Sequence, residues 1–191
     1  MSRSNRKSQI VQTAAHLFRK EGYQAVSMRD LADNLGIKAA SLYNHISSKE
    51  EILALIIMDM ARTFSEHIAE VRKNENSSVD KLTEIIDMHL RTTFHKTDVL
   101  ACMNREWKHL NDDYRKTYLQ LRNQYENDFL QIIENGMETG ELRSLNPKIL
   151  SNTFLSALRN LYHWHDRDPE FSEDRVRESV KDYLLSGLLL G

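Results

Sequence analysis

The sequence predicts an all-α protein, and three observations carry that reading. Only two prolines and six glycines interrupt 191 residues. Apolar residues recur at three- and four-residue intervals rather than alternating, which is the period of a helix with one buried face. A composition of 40% hydrophobic and 28% charged residues is that of a globular chain, long enough for one domain or two small ones sharing a core.

The elements follow in order. From Ser8 to Glu21, the positions Ile10, Val11, Ala14, Ala15, Leu17 and Phe18 form one stripe, and Gly22 stands where a helix C-cap is expected. Ser27 is placed to cap a second helix, with Asp30 three residues on in the capping-box position and Met28, Leu31, Ala32 and Leu35 facing inward. That helix stops at Gly36. A third, short one spans Ala39 to Ile46 and buries little besides Ala40 or Ser41, Leu42 and Ile46. A long helix starts at Lys49, with Ile52, Leu53, Ile56, Ile57, Met60, Phe64 and Ile68 on one side. The polar stretch Asn74 to Ser78 reads as a linker. Helices are then predicted over Val79 to Lys96, Asp98 to Leu110 and Asp113 to Thr139, the last ended by Gly140. Asn146-Pro147 opens another, and "HDRDPEFS" separates it from a final helix over Glu173 to Leu190. The total is about nine helices, without internal repeats or low-complexity tracts.

Two short helices around a glycine turn form a helix-turn-helix pattern, whose second helix lies in the DNA major groove. The segment "SLYNHISSKE" fits that placement. Ala39, Ala40 and Ser41 give a slim leading face. Tyr43 and His45 offer donors to phosphates, Asn44 carries the paired donor and acceptor that read adenine, and Lys49 is expected to reach a phosphate. Charge agrees with this. Residues 1 to 50 hold eight Lys/Arg against four acids, a local +4, so the rest of a chain of net charge -2 sums to -6. A basic head on an acidic body suits a polyanionic partner for the head.

The residues Gly22-Tyr23, Ser27, Leu31-Ala32, Gly36-Ile37, Leu42-Tyr43, His45-Ile46 and Ser48-Lys49-Glu50 followed by Leu53 resemble the DNA-binding head of the TetR/AcrR family of bacterial transcriptional regulators. The resemblance covers residues 8 to 53. It implies a three-helix head over residues 1–48 and an effector-binding and dimerisation body over 49–191. It implies Ser27 on a phosphate and Arg29 near a base edge. Lys38, Ala39, Ala40, Asn44 and His45 then face the groove, while Tyr43 and Lys49 clamp the backbone. Two departures stand out: Lys38 replaces the usual Ser or Thr cap, and Ile46 stands where Phe is common.

For the body, the resemblance implies that the last two helices pair with a second copy. On one of them Phe154, Ala157, Leu158 and Leu161 form the expected interface stripe. On the other it is formed by Val176, Val180, Tyr183, Leu184, Gly187 and Leu188. A ligand cavity is expected among the middle helices, walled by Met60, Phe64, Phe94, Cys102, Met103 and Trp107, together with Tyr118, Leu121, Tyr125 and Tyr162. The stretch from Asn104 to Phe129 further resembles regulators of fatty-acid and sterol breakdown. Glu106, Leu110, Tyr118, Arg122 and Tyr125 match their spacing, which implies an acyl-CoA or another large apolar acid as effector, with Arg122 able to meet an anionic group.

The reading is therefore a ligand-responsive repressor that binds a palindromic operator as a homodimer and is released by a small-molecule effector. Two alternatives stand beside it: a helical protein-binding module, and a metal-responsive regulator using "HWHD", His163 to Asp166. Residues i and i+2 point to different sides of a helix, and no Cys cluster accompanies them. No nucleophile elbow, phosphate-cradling loop or zinc-hydrolase motif appears, so no enzyme, cofactor or metal is expected. Cys102 has no disulfide partner, the basic N-terminus lacks an apolar run behind it, and no apolar stretch approaches the ~20 residues of a membrane span. A cytoplasmic protein is expected.

Overall fold

A computed structural model describes residues 3–163 and 170–189. Nine α-helices are found among them: α1 (Arg3–Glu21), α2 (Met28–Asn34), α3 (Ala39–Tyr43), α4 (Lys49–Lys73), α5 (Ser78–His95), α6 (Thr97–Glu106), α7 (Asp112–Glu138), α8 (Pro147–Asn160) and α9 (Glu173–Ser186), with a 3-10 turn at Trp107–His109. No described helix is long and apolar enough to cross a membrane.

Local chemistry sets most of the boundaries. The Ser27 hydroxyl accepts from the Asp30 N–H at 3.2 Å while the Asp30 carboxylate accepts from the Ser27 N–H at 2.8 Å, so the expected capping box is formed. Asn146 caps α8 through the N–H groups of Lys148 and Ile149, and Pro147 fills its first turn. The exception is α3, which ends at Tyr43 rather than Ile46. Lys38 at its N-cap makes no side-chain bond, and just beyond it the Ser47 N–H and hydroxyl both donate to Glu51, at 2.8 and 2.6 Å. Beyond Tyr43 the His45 and Ile46 N–H groups both donate to the Leu42 carbonyl, and the cap of α4 begins at the next residue.

The chain forms two compact units, residues 1–63 with 98–121, and residues 64–97 with 122–191. The first is built on Ile10, Ala14, Phe18, Leu31, Leu42, Ile46, Ile52 and Leu53, with Cys102, Leu110 and Tyr118 in the same apolar cluster. It also holds an ion pair of Arg19 with Asp98 at 2.6 Å. In the second, α5 packs on α8 and α9. Phe129 and Phe154 meet there at 5.3 Å, and Asp87 accepts from Lys181 at 2.7 Å.

Among the described glycines of the second unit, only Gly136 is closely packed: a Cβ there would lie 2.7 Å from both the Ser78 Cβ and the Leu142 Cδ1. Leucine can swing away, but the Ser78 Cβ moves only with its backbone. Gly136→Ala is therefore expected to destabilise the protein by about 1–3 kcal/mol through overpacking. Chemical denaturation followed by circular dichroism measures it, and an unchanged midpoint would contradict the tight fit.

Candidate nucleic-acid interface

The geometry begins at the turn between α2 and α3. Gly36 takes φ 64°, a left-handed conformation that favours glycine, and the next N–H, of Ile37, donates to the Ala32 carbonyl at 3.0 Å. This closes α2 and redirects the chain into α3. Leu42 and Ile46 are 0% and 2% exposed and hold α3 to the core. Ala39 packs partly against that core, whereas Lys38, Ala40, Ser41, Tyr43 and Asn44 are exposed. Tyr43 keeps 53% of its surface in water, an unusual exposure for so large a ring.

Around this face the candidate contacts differ in availability. Arg29 and Ser27 are exposed, but the Ser27 N–H and hydroxyl both donate to Asp30, at 2.8 and 2.6 Å, so the donors of Ser27 are engaged within the head. His45 is only half exposed, and its Nδ1 is buried without a protein partner, so the ring is partly turned into the head rather than wholly toward the groove side.

Lys49 departs furthest from expectation. Its ammonium donates to the carbonyls of Tyr23 at 2.8 Å and Val26 at 2.7 Å, with Gln24 at 3.5 Å, and lies 4.4 Å from the centre of the Tyr23 ring. The Tyr23 ring in turn meets Phe18 edge-on at 5.1 Å and stacks on His109 at 5.4 Å. Desolvation pulls the Lys49 pKa down, opposed by Asp30. The phosphate clamp expected from sequence is thus engaged as an internal strap, because three carbonyls of the α1–α2 connection solvate the charge in place of water.

The remaining predicted positions divide between the two units. Met60, Cys102, Met103, Trp107, Tyr118 and Leu121 belong to the first, where the Trp107 and Tyr118 rings lie 5.7 Å apart and burial pushes the Cys102 thiol pKa up. Phe64, Phe94, Arg122, Tyr125 and Tyr162 belong to the second. There Phe64 and Tyr125 meet edge-to-face at 6.1 Å, and Arg122 pairs with Glu126 at 3.0 Å. His89, absent from the predicted set, donates to or accepts from the Tyr125 hydroxyl at 2.9 Å. The signal for it was present: it continues the buried stripe of Leu82, Ile85 and Ile86.

Of the expected dimer stripe, Phe154, Leu158, Leu161, Val180 and Leu188 are buried inside the single chain. Ala157, Val176 and Leu184 are half-buried, Gly187 is exposed, and Tyr183 is 78% exposed. Half of the stripe is therefore buried within the single chain. The most exposed large apolar residues on these helices are Tyr183, a member of the expected stripe, and Ile149, at 67%. In the "HWHD" segment His163 packs on Tyr162 at 4.1 Å, whereas Trp164, His165 and Asp166 lie outside the described residues. Among the described residues no three His, Cys, Asp or Glu side chains converge to hold a metal.

A capped helix, a left-handed glycine turn and a second short helix with an exposed polar face define a helix-turn-helix DNA-binding protein. Residues 10–56 match the bacterial regulatory proteins of the tetR family, and residues 75–188 match the tetracyclin repressor-like C-terminal domain. The chain belongs to the TetR family of transcriptional regulators. It is 29% identical to the HTH-type transcriptional repressor KstR2 of Rhodococcus jostii, over 97% of this chain and 92% of that one. Its fold superposes on the ketosteroid transcriptional regulator KstR2 of Mycobacterium tuberculosis with a TM-score of 0.90, at 18% identity, covering 97% and 96% of the two chains. It also superposes on AibR, solved in complex with isovaleryl coenzyme A and operator DNA, with a TM-score of 0.80, at 21% identity and 93% and 97% coverage.

Two predictions follow from the site's internal bonds. Lys49→Met should lower head stability by about 1–3 kcal/mol, the scale of hydrogen bonds to a charged group. It should leave the slope of log K against log salt unchanged, whereas a lysine on a phosphate would give up about one unit of slope. The second concerns acid. The hydrogen bonds from Ser27 hold the Asp30 carboxyl below its ordinary pKa, and those from Ser47 do the same for Glu51, with Lys7 adding to them. A depressed carboxylate stabilises the fold above its unfolded pKa, and that contribution is lost as pH falls through the folded value. Unfolding midpoints should therefore drop on acidification through the carboxylate range. The double variant Asp30→Asn, Glu51→Gln should show a flatter profile, and an equally steep one would refute the assignment.

Proposed function

We propose that this protein is a transcriptional repressor that binds a palindromic operator as a homodimer and is released by a small-molecule effector with a large apolar part, of the acyl-CoA thioester class. The observation that carries the DNA reading is the exposed face of α3, held on two apolar anchors with Tyr43 and Asn44 in water. The names of the relatives support repression, and the AibR complex supports a coenzyme A thioester and an operator as the two ligands.

In this reading residues 1–48 read DNA and residues 49–191 bind effector and partner. Arg29, Lys38, Tyr43 and Asn44 are the contacts best exposed for the role, with Ala40 and Ser41 allowing close approach. The second copy packs on the exposed side of α8 and α9, around Ile149 and Tyr183. Work in the cytoplasm by binding rather than catalysis completes the proposal. Effector and operator are linked: the factor by which effector weakens DNA binding is the factor by which DNA weakens effector binding.

A gel shift against the DNA flanking the protein's own gene, run across a salt titration, tests this. A footprint whose affinity falls with salt is expected. Tyr43→Phe should weaken binding to all sequences alike, while Asn44→Ala should relax preference at one base pair by about 1–3 kcal/mol. Identical behaviour of the two variants would remove the division between positioning and reading, and no footprint at any salt would remove the function.

A further inference from the structure

We propose that His89 and Thr93 on α5 form the recognition point for an uncharged oxygen, a keto or hydroxyl group, on the apolar part of the effector. The inference rests on the effector-binding reading above and specifies the chemistry of that ligand. His89 and Thr93 are 4% and 2% exposed, and the His89 Nδ1 and the Thr93 Oγ1 are both buried without a protein partner. Buried polar atoms are nearly always paired, so two on one helix face, one turn apart, need an explanation.

Thr83 and Thr92 on the same helix return their hydroxyls to the carbonyls four residues back, each at 2.8 Å, as Thr93 does not. The His89 ring is fixed by its Nε2 contact with the Tyr125 hydroxyl and by Phe64, whose ring centre lies 4.7 Å away. Whichever atom carries the proton in that contact, Nδ1 remains a donor or an acceptor on the opposite edge of the ring.

The surroundings select the ligand chemistry. Burial, with Arg159 and His67 nearby, lowers the His89 pKa to about 3, so the imidazole is neutral. Arg159 is itself paired with Glu126 at 2.8 Å, and Glu126 also takes Arg122. An uncharged oxygen needs no counter-charge there, whereas a carboxylate would have to draw on Arg159, already held by Glu126, and a bare hydrocarbon would leave both polar atoms stranded. An uncharged oxygen satisfies them. Sites built to hydrogen-bond such a group reject analogues that lack it.

The test uses the full chain and two matched sets of probes: 1-decalone, decalin and decalin-1-carboxylate, then 2-dodecanone, dodecane and dodecanoate. Thermal-shift titrations should give at least one ketone an affinity about tenfold or more above both its hydrocarbon and its carboxylate. Thr93→Val, which keeps the shape and removes the hydroxyl, should erase that preference and raise the unfolding midpoint of the ligand-free protein. His89→Phe should erase the preference as well. Equal binding within both sets, preference for the carboxylate, or a preference unchanged in Thr93→Val would overturn the proposal. So would a lowered ligand-free midpoint in Thr93→Val, the mark of a hydroxyl serving only a buried water. Footprints of the same samples read the regulator assignment separately: DNA released by dodecanoate, with no ketone preference, would overturn this inference and leave the effector reading standing.

Discussion

The head depends on one ammonium group. Lys49 stands in the first turn of α4, yet its charge is solvated by carbonyls of residues 23 to 26, which connect α1 to α2. That connection ends at Ser27, whose backbone and hydroxyl set the start of α2. From α2 the chain passes through Gly36 into α3. Placement of the exposed face thus descends through a series of local bonds from a contact more than twenty residues distant in sequence. Charge-assisted bonds are roughly twice as strong as neutral ones, and they are stronger still where water is partly excluded. A neutral cap could close one turn; a cation held by several carbonyls fixes the course of a whole connection.

The same arrangement explains why so weak a helix serves for α3. Five residues without an N-terminal side-chain cap would not persist alone, since an isolated helix needs about 12–15 residues even when its sequence is favourable. Its order comes from Leu42 and Ile46 and from the capped helices on either side. Little of its surface is consumed in staying folded. Tyr43 and Asn44 are exposed because the anchors lie on the opposite side of a single turn.

What was legible in the sequence was local. The Ser27–Asp30 box, the Asn146-Pro147 start of α8 and the extent of α4 follow from residues within one turn of each boundary, and the structure has them where expected. What was illegible was finer in scale or set at a distance. The end of α3 at Tyr43 leaves Asn44 to Ile46 as a short connection to the cap of α4 at Ser47 and Glu51. The Lys49 contacts use backbone carbonyls, which carry no residue identity to read. An apolar stripe does not say whose chain covers it, so Phe154, Leu158 and Val180 read equally well as dimer surface and as core. The role of His89 is illegible for a related reason: a histidine on an apolar face gives no sign of which of its nitrogens is satisfied.

The second unit holds polar groups of two kinds. Arg72 pairs with Asp128, Arg159 and Arg122 share Glu126, and Lys181 pairs with Asp87, although the Asp87 Oδ1 and the Arg177 Nε lack a hydrogen bond. His89 and Thr93 are neutral, and each has a buried polar atom with no hydrogen-bond partner in the protein. Such pairs differ in what a ligand can gain from them. Displacing an ion from its partner costs nearly what the new contact returns, whereas satisfying a stranded neutral group recovers a desolvation penalty of about 1–3 kcal/mol already present in the free protein. Coupling between two sites is typically about 1–3 kcal/mol, a five- to 150-fold change in affinity. A hydrogen bond to the His89 and Thr93 pair, made in only one of two states of the protein, is thus of the size needed to separate them. Affinity from apolar contact alone, equal in both states, would shift nothing however tight the binding.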